Sequence, residues 1–180
     1  MPDPFTHTRT YRDRLRAELM APSRACCLVD VDGMIWVNDS HGHAEGDRVL
    51  ATVARSLAAL AADQAIDIFR VGGDEFLIVL PLLERSELRH FARRLVDGLR
   101  ALGIPYSRTD RPSRTVLEVN AVILRVDNAF AARAFGEFGL TGEARDWIAQ
   151  RVFREKQRLG REAGIVVDLF DAAVESPWAG

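Results

Sequence analysis

Arg70-Val71-Gly72-Gly73-Asp74-Glu75-Phe76 lies between two apolar, β-favouring runs, Ile66 to Phe69 and Phe76 to Leu80. Two such runs separated by Gly-Gly predict a β-hairpin, because paired glycines accept the positive φ of a tight primed turn. Asp74 and Glu75 then stand at the tip of the hairpin or just inside its second strand. A second acidic cluster precedes them in Leu28-Val29-Asp30-Val31-Asp32, where two Asp close an apolar run. A buried strand does not ordinarily take carboxylates. Two strand ends that both present acids point to a shared divalent-cation site. Hard oxygen ligands suit Mg²⁺, which is held by one or two carboxylates plus substrate phosphates.

Outward from the hairpin, periodicity sets the remaining elements. Tyr11 to Met20 carries Leu15 and Leu19 at helical spacing among charges, and Ala25 to Val31 is the first strand. Gly42 to Gly46 is expected to be a turn region. Asp47 to Ala62 is a predicted helix with Val49, Leu50, Val53, Ala54, Leu57 and Leu60 on one face. Ser86 to Leu102 is a second amphipathic helix, with Ser86 as its N-cap and Leu88, Phe91, Leu95 and Leu99 inward. Tyr106 to Ser113 is polar and contains Pro112, which makes it a loop. Val116 to Val126 is a strand, Thr141 caps a helix over Gly142 to Leu159, and Ile165 to Phe170 is the last strand. Trp147, Ile148, Val152, Phe153 and Leu159 form the apolar stripe of that helix. The order β-α-β-β-α-β, then a helix and a strand, is an α+β ferredoxin-like arrangement in which helices cover one face of an antiparallel sheet. The expected divisions are residues 1–24, an extension with a short helix; 25–170, the domain; and 171–180, a loosely ordered tail.

The chain has 180 residues, enough for one domain with a proper core and a short extension. Hydrophobic residues make up 48% and charged residues 28%, an ordinary globular composition. A formal net charge of −2 argues against a nucleic-acid polymer as ligand, since such domains carry a basic face. No apolar run is long enough for a bilayer span and no signal-peptide core is present, so no membrane association and a cytoplasmic location are expected. Cys26 and Cys27 are adjacent, and neighbouring strand residues point to opposite faces. They are therefore expected as two small buried thiols rather than a disulfide.

Gly72-Gly73-Asp74-Glu75-Phe76 resembles the signature of the GGDEF, or diguanylate cyclase, family. The run from Asp30 to Asp47, Asp30-Val31-Asp32-Gly33-Met34-Ile35-Trp36-Val37-Asn38-Asp39-Ser40-His41-Gly42-His43-Ala44-Glu45-Gly46-Asp47, is similar to that family's D-I-D-x-F-K-x-x-N-D-x-x-G-H-x-x-G-D. The resemblance is close over residues 25 to 100 and distant after Leu102. It implies a palm-like core shared with adenylyl cyclases and polymerases. It also implies condensation of two GTP to cyclic di-GMP with loss of pyrophosphate, Mg²⁺ or Mn²⁺ as cofactor, and an antiparallel homodimer in which each protomer carries half the site. Asp30, Glu75 and the Val31 carbonyl match the metal ligands, and Asp74 matches the acid nearest the attacking 3′-hydroxyl. Asn38 and Asp47 match the residues that read guanine. Read from the residues alone, the alternatives are turn chemistry for Asn38-Asp39 and a helix N-cap for Asp47. Met34, Gly72 and Gly73 complete the substrate-binding positions, the glycines by letting backbone approach the nucleotide. Asp32 either orients the site or lies on the outer face, and His43 matches a structural or pocket residue.

The departures from the pattern bear on function. Met34-Ile35 replaces the family's Phe-Lys, and Ile35 cannot reach a γ-phosphate as that Lys does. Phe153 to Arg161 only echoes the later A-L-Y-x-A-K-x-x-G-R-N-R run. Lys156 and Arg161 stand as its phosphate-binding pair, or as a solvated helix face. At the family's inhibitory R-x-x-D positions the chain has Asp63 and Ile66. Two alternatives to the cyclase follow. One is a degenerate domain that binds GTP or a partner protein without synthesis. The other is a palm-type cyclase with a different cyclic nucleotide product.

Overall fold

Arg24–Val31 (β1) is apolar on both faces, and it lies at the centre of the fold. The computed structural model describes residues 9–20, 24–60, 66–81, 83–105, 116–126, 128–136, 139–161 and 163–170. The expected tail at 171–180, the Tyr106 to Ser113 loop and Asp63 lie outside them. β1 pairs antiparallel with Glu75–Pro81 (β3) on one side and with Val119–Val126 (β4) on the other. Asp67–Arg70 (β2) extends the sheet beyond β3, and Val166–Leu169 (β7) pairs parallel with β4, giving the order β2-β3-β1-β4-β7.

The sheet is therefore mixed, and helices cover both of its faces rather than one. Arg9–Met20 (α1), Asn128–Ala134 (α5) and Gly142–Leu159 (α6) pack with Cys26, Leu28, Leu77 and Val122 on one side. Met34–His41 (α2), His43–Leu60 (α3) and Arg85–Ala101 (α4) pack with Cys27, Val29, Ile78 and Ile123 on the other. The physical reason is the parallel β7, which can be reached from β4 only by a crossover, and that crossover carries α6 across the second face. A strand buried on both faces reads as an unbroken apolar run, as Ala25 to Val29 does. Cys26 and Cys27 are free, buried and assigned to opposite cores, as strand alternation requires.

Several element boundaries differ from the sequence expectation. α2 was not anticipated; Met34 and Val37, three residues apart, bury its short apolar face. Its ends are set by Gly33 and Gly42, with φ of 83° and 84°. α3 starts at His43, so the expected turn at Gly42 to Gly46 is mostly helix and Asp47 is not an N-cap. α4 starts one residue before Ser86. Its cap is Glu84, whose backbone N–H donates to the Glu87 carboxylate at 2.9 Å, half of a capping box. α5 and a two-stranded ribbon, Phe135–Gly136 (β5) with Gly139–Leu140 (β6), fill a stretch with no clear period. α6 runs as expected, and the Thr141 side chain caps it by accepting from the Ala144 N–H. Two members of its expected stripe, Phe153 and Leu159, are nevertheless exposed.

Candidate active site

The register of the two central ladders places the acids. Asp30 lies directly opposite Glu75 on β3 and, on its other side, opposite Asn120 on β4. Directly opposed residues of an antiparallel pair bring their Cβ atoms within about 5 Å. Asp74 precedes Glu75 and accepts the Val31 N–H at its carbonyl, 3.1 Å. The hairpin is not the expected primed turn, because neither Gly72 nor Gly73 has positive φ. The N–H groups of Val71 and Gly72 both donate to the Glu75 carbonyl, at 2.9 and 3.3 Å, and the Arg70 guanidinium donates to the Gly73 carbonyl at 2.6 Å. Three residues, Gly72, Gly73 and Asp74, therefore span the loop. Gly72 is needed for another reason: a Cβ there would meet the Glu75 carboxylate. Gly73 faces open space.

Burial dominates the electrostatics. Desolvation raises the Asp30 carboxyl above its ordinary value, and the Asp74 charge adds to this; a hydrogen bond from Asn120 and the charge of Lys156 oppose it. Desolvation likewise raises Asp74 and Glu75, against Arg145 in both cases. Asn120 is fully buried and donates Nδ2–H to Asp30 Oδ2 at 3.3 Å. Glu75 Oε2 is buried and accepts no hydrogen bond among the described residues, although Arg145 Nη1 stands 3.2 Å away. Their contact is thus electrostatic, without donor alignment.

Positive charge comes from α6 and from Arg70, whose charge opposes the rise at Asp74. Lys156 donates to Asp32 Oδ1 at 3.1 Å, so Asp32 is part of the cluster's ion-pair lattice. Arg145, three turns earlier, reaches Glu75. Arg161 lies just past the C-cap Gly160; its backbone N–H donates to the Lys156 carbonyl and its side chain is exposed and not joined to the acids. Asn38, Gly46 and Met34 form a second constellation between α2 and α3. A Cβ on Gly46 would collide with the Asn38 amide oxygen and come within 3.3 Å of Met34 Cε, so the glycine admits that amide. Asp47 follows Gly46 and is exposed, as is His43. Met34 is buried beneath them, while Ile35 is 77% exposed.

The family described as "Diguanylate cyclase, GGDEF domain" matches residues 9–134. The chain belongs to the GGDEF family. Diguanylate cyclase VdcA of Vibrio cholerae serotype O1 is 25% identical over 126 residues, 69% of this chain and 37% of the relative. Cyclic di-GMP phosphodiesterase PdeB of Shewanella oneidensis is 43% identical over 60 residues, 33% of this chain and 7% of the relative. The chain thus spans well under half the length of these curated relatives. Among solved structures, an EAL/GGDEF domain protein from M. capsulatus superposes with a TM-score of 0.59 at 24% identity, covering 89% of this chain and 96% of that one. At that identity the likeness is one of fold. The GGDEF match continues past Leu102 through β4 and α5 and stops before α6.

Within this GGDEF domain the acids were legible from sequence, and so was Lys156, though not its pairing with Asp32. Arg145 and Asn120 were missed. Asn120 carried one available signal, an amide in the middle of an apolar strand, where a polar side chain needs a buried partner. Arg145 lies in a helix rich in arginine and had none. No group of three or more His, Cys, Asp or Glu side chains among the described residues is arranged to hold a metal ion. The opposed pair Asp30 and Glu75, with a buried carboxylate oxygen that lacks a hydrogen bond, fits a Mg²⁺ or Mn²⁺ that takes its other ligands from water and phosphate. No helix among the described residues is long and apolar enough to cross a membrane.

Proposed function

We propose that this domain condenses two GTP molecules to cyclic di-GMP, one nucleotide held by each protomer of an antiparallel homodimer, with loss of pyrophosphate. Each 3′-hydroxyl attacks the α-phosphate of the nucleotide on the other protomer. The observation that carries the reading is the Asp30–Glu75 register, with Asp74 beside it and a buried oxygen on Glu75 that accepts no hydrogen bond among the described residues. Asp30, Glu75 and the Val31 carbonyl would hold Mg²⁺ or Mn²⁺. Bound there, the cation supplies neutralisation of the triphosphate charge during in-line displacement. Asp74 accepts the 3′-hydroxyl proton; burial raises its basicity, which favours that role. Gly72 and Gly73 let the hairpin backbone lie against the phosphates. Asn38 and Asp47 hold guanine, a carboxylate accepting from the N1-H and N2 groups, above a floor made by Met34. Lys156 gives the phosphates a cation that Ile35 cannot.

Ile35 carries a second reading. An exposed isoleucine stands where the family's Lys would meet the γ-phosphate, which favours a domain that binds GTP as a signalling module without turnover. Incubation with labelled GTP or ATP and Mg²⁺ or Mn²⁺, with the products separated, decides between the two. Cyclic di-GMP supports synthesis. GTP binding with no product under either metal supports the module. A different cyclic nucleotide overturns the product assignment.

A further inference from the structure

Arg145 is positioned by backbone before it meets any carboxylate. Its Nε donates to the Leu140 carbonyl at 3.3 Å and its Nη2 to the Val71 carbonyl at 3.0 Å. Nη1 is left 3.2 Å from Glu75 Oε2, the buried oxygen that accepts no hydrogen bond. The first turn of α6 that bears Arg145 is itself pinned. The Thr141 N–H donates to the Ala134 carbonyl at 2.8 Å, and the Arg145 N–H donates to the Thr141 carbonyl at 3.0 Å. A guanidinium that served Glu75 alone would fork onto its carboxylate with two aligned bonds. This one is shared between the hairpin loop and the β5–β6 ribbon, and it presents charge to Glu75 without alignment. The helix that carries it lies beyond the stretch matched by the GGDEF family.

We propose that Arg145 is a resident counter-cation of Glu75 that weakens divalent-metal binding until nucleotide arrives. The inference rests on the reading of Glu75 as a metal ligand. In the nucleotide-free domain the guanidinium neutralises part of the carboxylate and repels a second cation at the same oxygen. A triphosphate entering beside the hairpin offers Arg145 phosphate oxygens, which it can fork. Glu75 is then released to the metal. Metal and GTP therefore load together, and Arg145 is a positioning residue that acts through Glu75.

The test is Mn²⁺ binding to the full, nucleotide-free chain, followed by calorimetry and by the electron paramagnetic resonance of free Mn²⁺. Arg145→Gln is expected to bind Mn²⁺ about tenfold tighter than wild type, the equivalent of one lost repulsion of ordinary size. Arg145→Lys, which keeps the charge, is expected to restore wild-type affinity. In EDTA, Arg145→Gln should lower the melting temperature more in the wild-type background than in Glu75→Gln, since the destabilisation comes through that carboxylate. If Arg145→Gln does not fold, Arg145→Met, which keeps the aliphatic stem, takes its place. Wild-type Mn²⁺ binding with unchanged or weaker affinity in the neutral variant overturns the role of Arg145 alone. Absence of Mn²⁺ binding in every variant overturns the metal assignment of Glu75 and the proposal with it.

Discussion

Asp30 and Glu75 are cross-strand partners at the end of the β1–β3 ladder, Glu75 opening β3 and Asp30 standing one residue before the end of β1. The fully buried Asn120 on the neighbouring strand holds Asp30 with a hydrogen bond of 3.3 Å.

Turnover should need both the pair and a divalent cation. Glu75→Ala is expected to reduce cyclic di-GMP formation from GTP by about a hundredfold or more, because it removes the proposed metal ligand and several kcal/mol of charge stabilisation with it. Single-turnover product analysis with Mg²⁺ and with Mn²⁺ reads this directly. Turnover that persists in Glu75→Ala would remove Glu75 from the reaction.

Base selectivity should lie with Asp47. It is exposed within α3 and caps nothing, so Asp47→Ser should leave the melting temperature nearly unchanged. Loss of its acceptor leaves the guanine edge unpaired at roughly 1–3 kcal/mol, which lowers discrimination between GTP and ATP by about tenfold or more. The measurement is the ratio of kcat/KM, or of binding constants, for the two nucleotides. An unchanged ratio assigns Asp47 to the solvated helix surface.

Gly46→Ala separates packing from function in the opposite sense. Alanine in a helix interior ordinarily adds about 0.5–1 kcal/mol of stability over glycine. Here the new Cβ would meet the Asn38 amide and push it from its place. The variant is expected to gain no stability and to bind GTP about tenfold more weakly, with ATP binding unaffected. A more stable protein with wild-type GTP affinity would show that Asn38 does not touch the nucleotide.

Stability should fall as pH rises through the Asp30 titration in metal-free protein. Burial raises the folded-state value of this carboxyl above the unfolded one, so the folded chain binds its proton more tightly. The sign follows from linkage: below the ordinary carboxylate value Asp30 is protonated in both states and costs nothing, and stability is lost as pH rises from that value through the raised one. Asp30→Asn should therefore raise the melting temperature at pH 7 in EDTA, by about 2–4 °C for each kcal/mol relieved, and the gain should vanish toward pH 3. Mn²⁺ should stabilise wild type and not the variant. A lower melting temperature for Asp30→Asn at pH 7 would contradict the assignment.

Product should not inhibit through the R-x-x-D positions. Asp63 repels product phosphates where an Arg would fork onto them, and Ile66 offers guanine no acceptor. Progress curves with added cyclic di-GMP, and calorimetry on GTP-free protein, are expected to show neither inhibition nor tight product binding. Tight binding that survives replacement of Asp30 and Glu75 would require a second site.

Much of this was legible in one dimension. Unbroken apolar runs mark β1 and β3, helical spacing marks α4 and α6, and Thr141 announces the start of its helix. Carboxylates at the ends of apolar strands mark Asp30 and Glu75, because such residues have little packing reason to be there. Short-range chemistry misled where a competing contact prevailed. Gly72-Gly73 suggests a left-handed turn, yet Gly72 is there to clear the Glu75 side chain. Ser86 is a good cap by type, yet Glu84, with Glu87, caps the helix two residues earlier.

Residues near one another in the chain specify the long elements, the burial of the central strands and the family, while the short α2, α5 and β5–β6 ribbon escape them. Tertiary structure alone decided which charges answer the acids. Asn120, Arg145 and Lys156 lie far along the chain from Asp30, Glu75 and Asp32, and no periodicity links them. They meet because β4 pairs beside β1 and the crossover to the parallel β7 lays α6 across the sheet. Long-range electrostatic partnership is set by that packing, which local propensity does not encode.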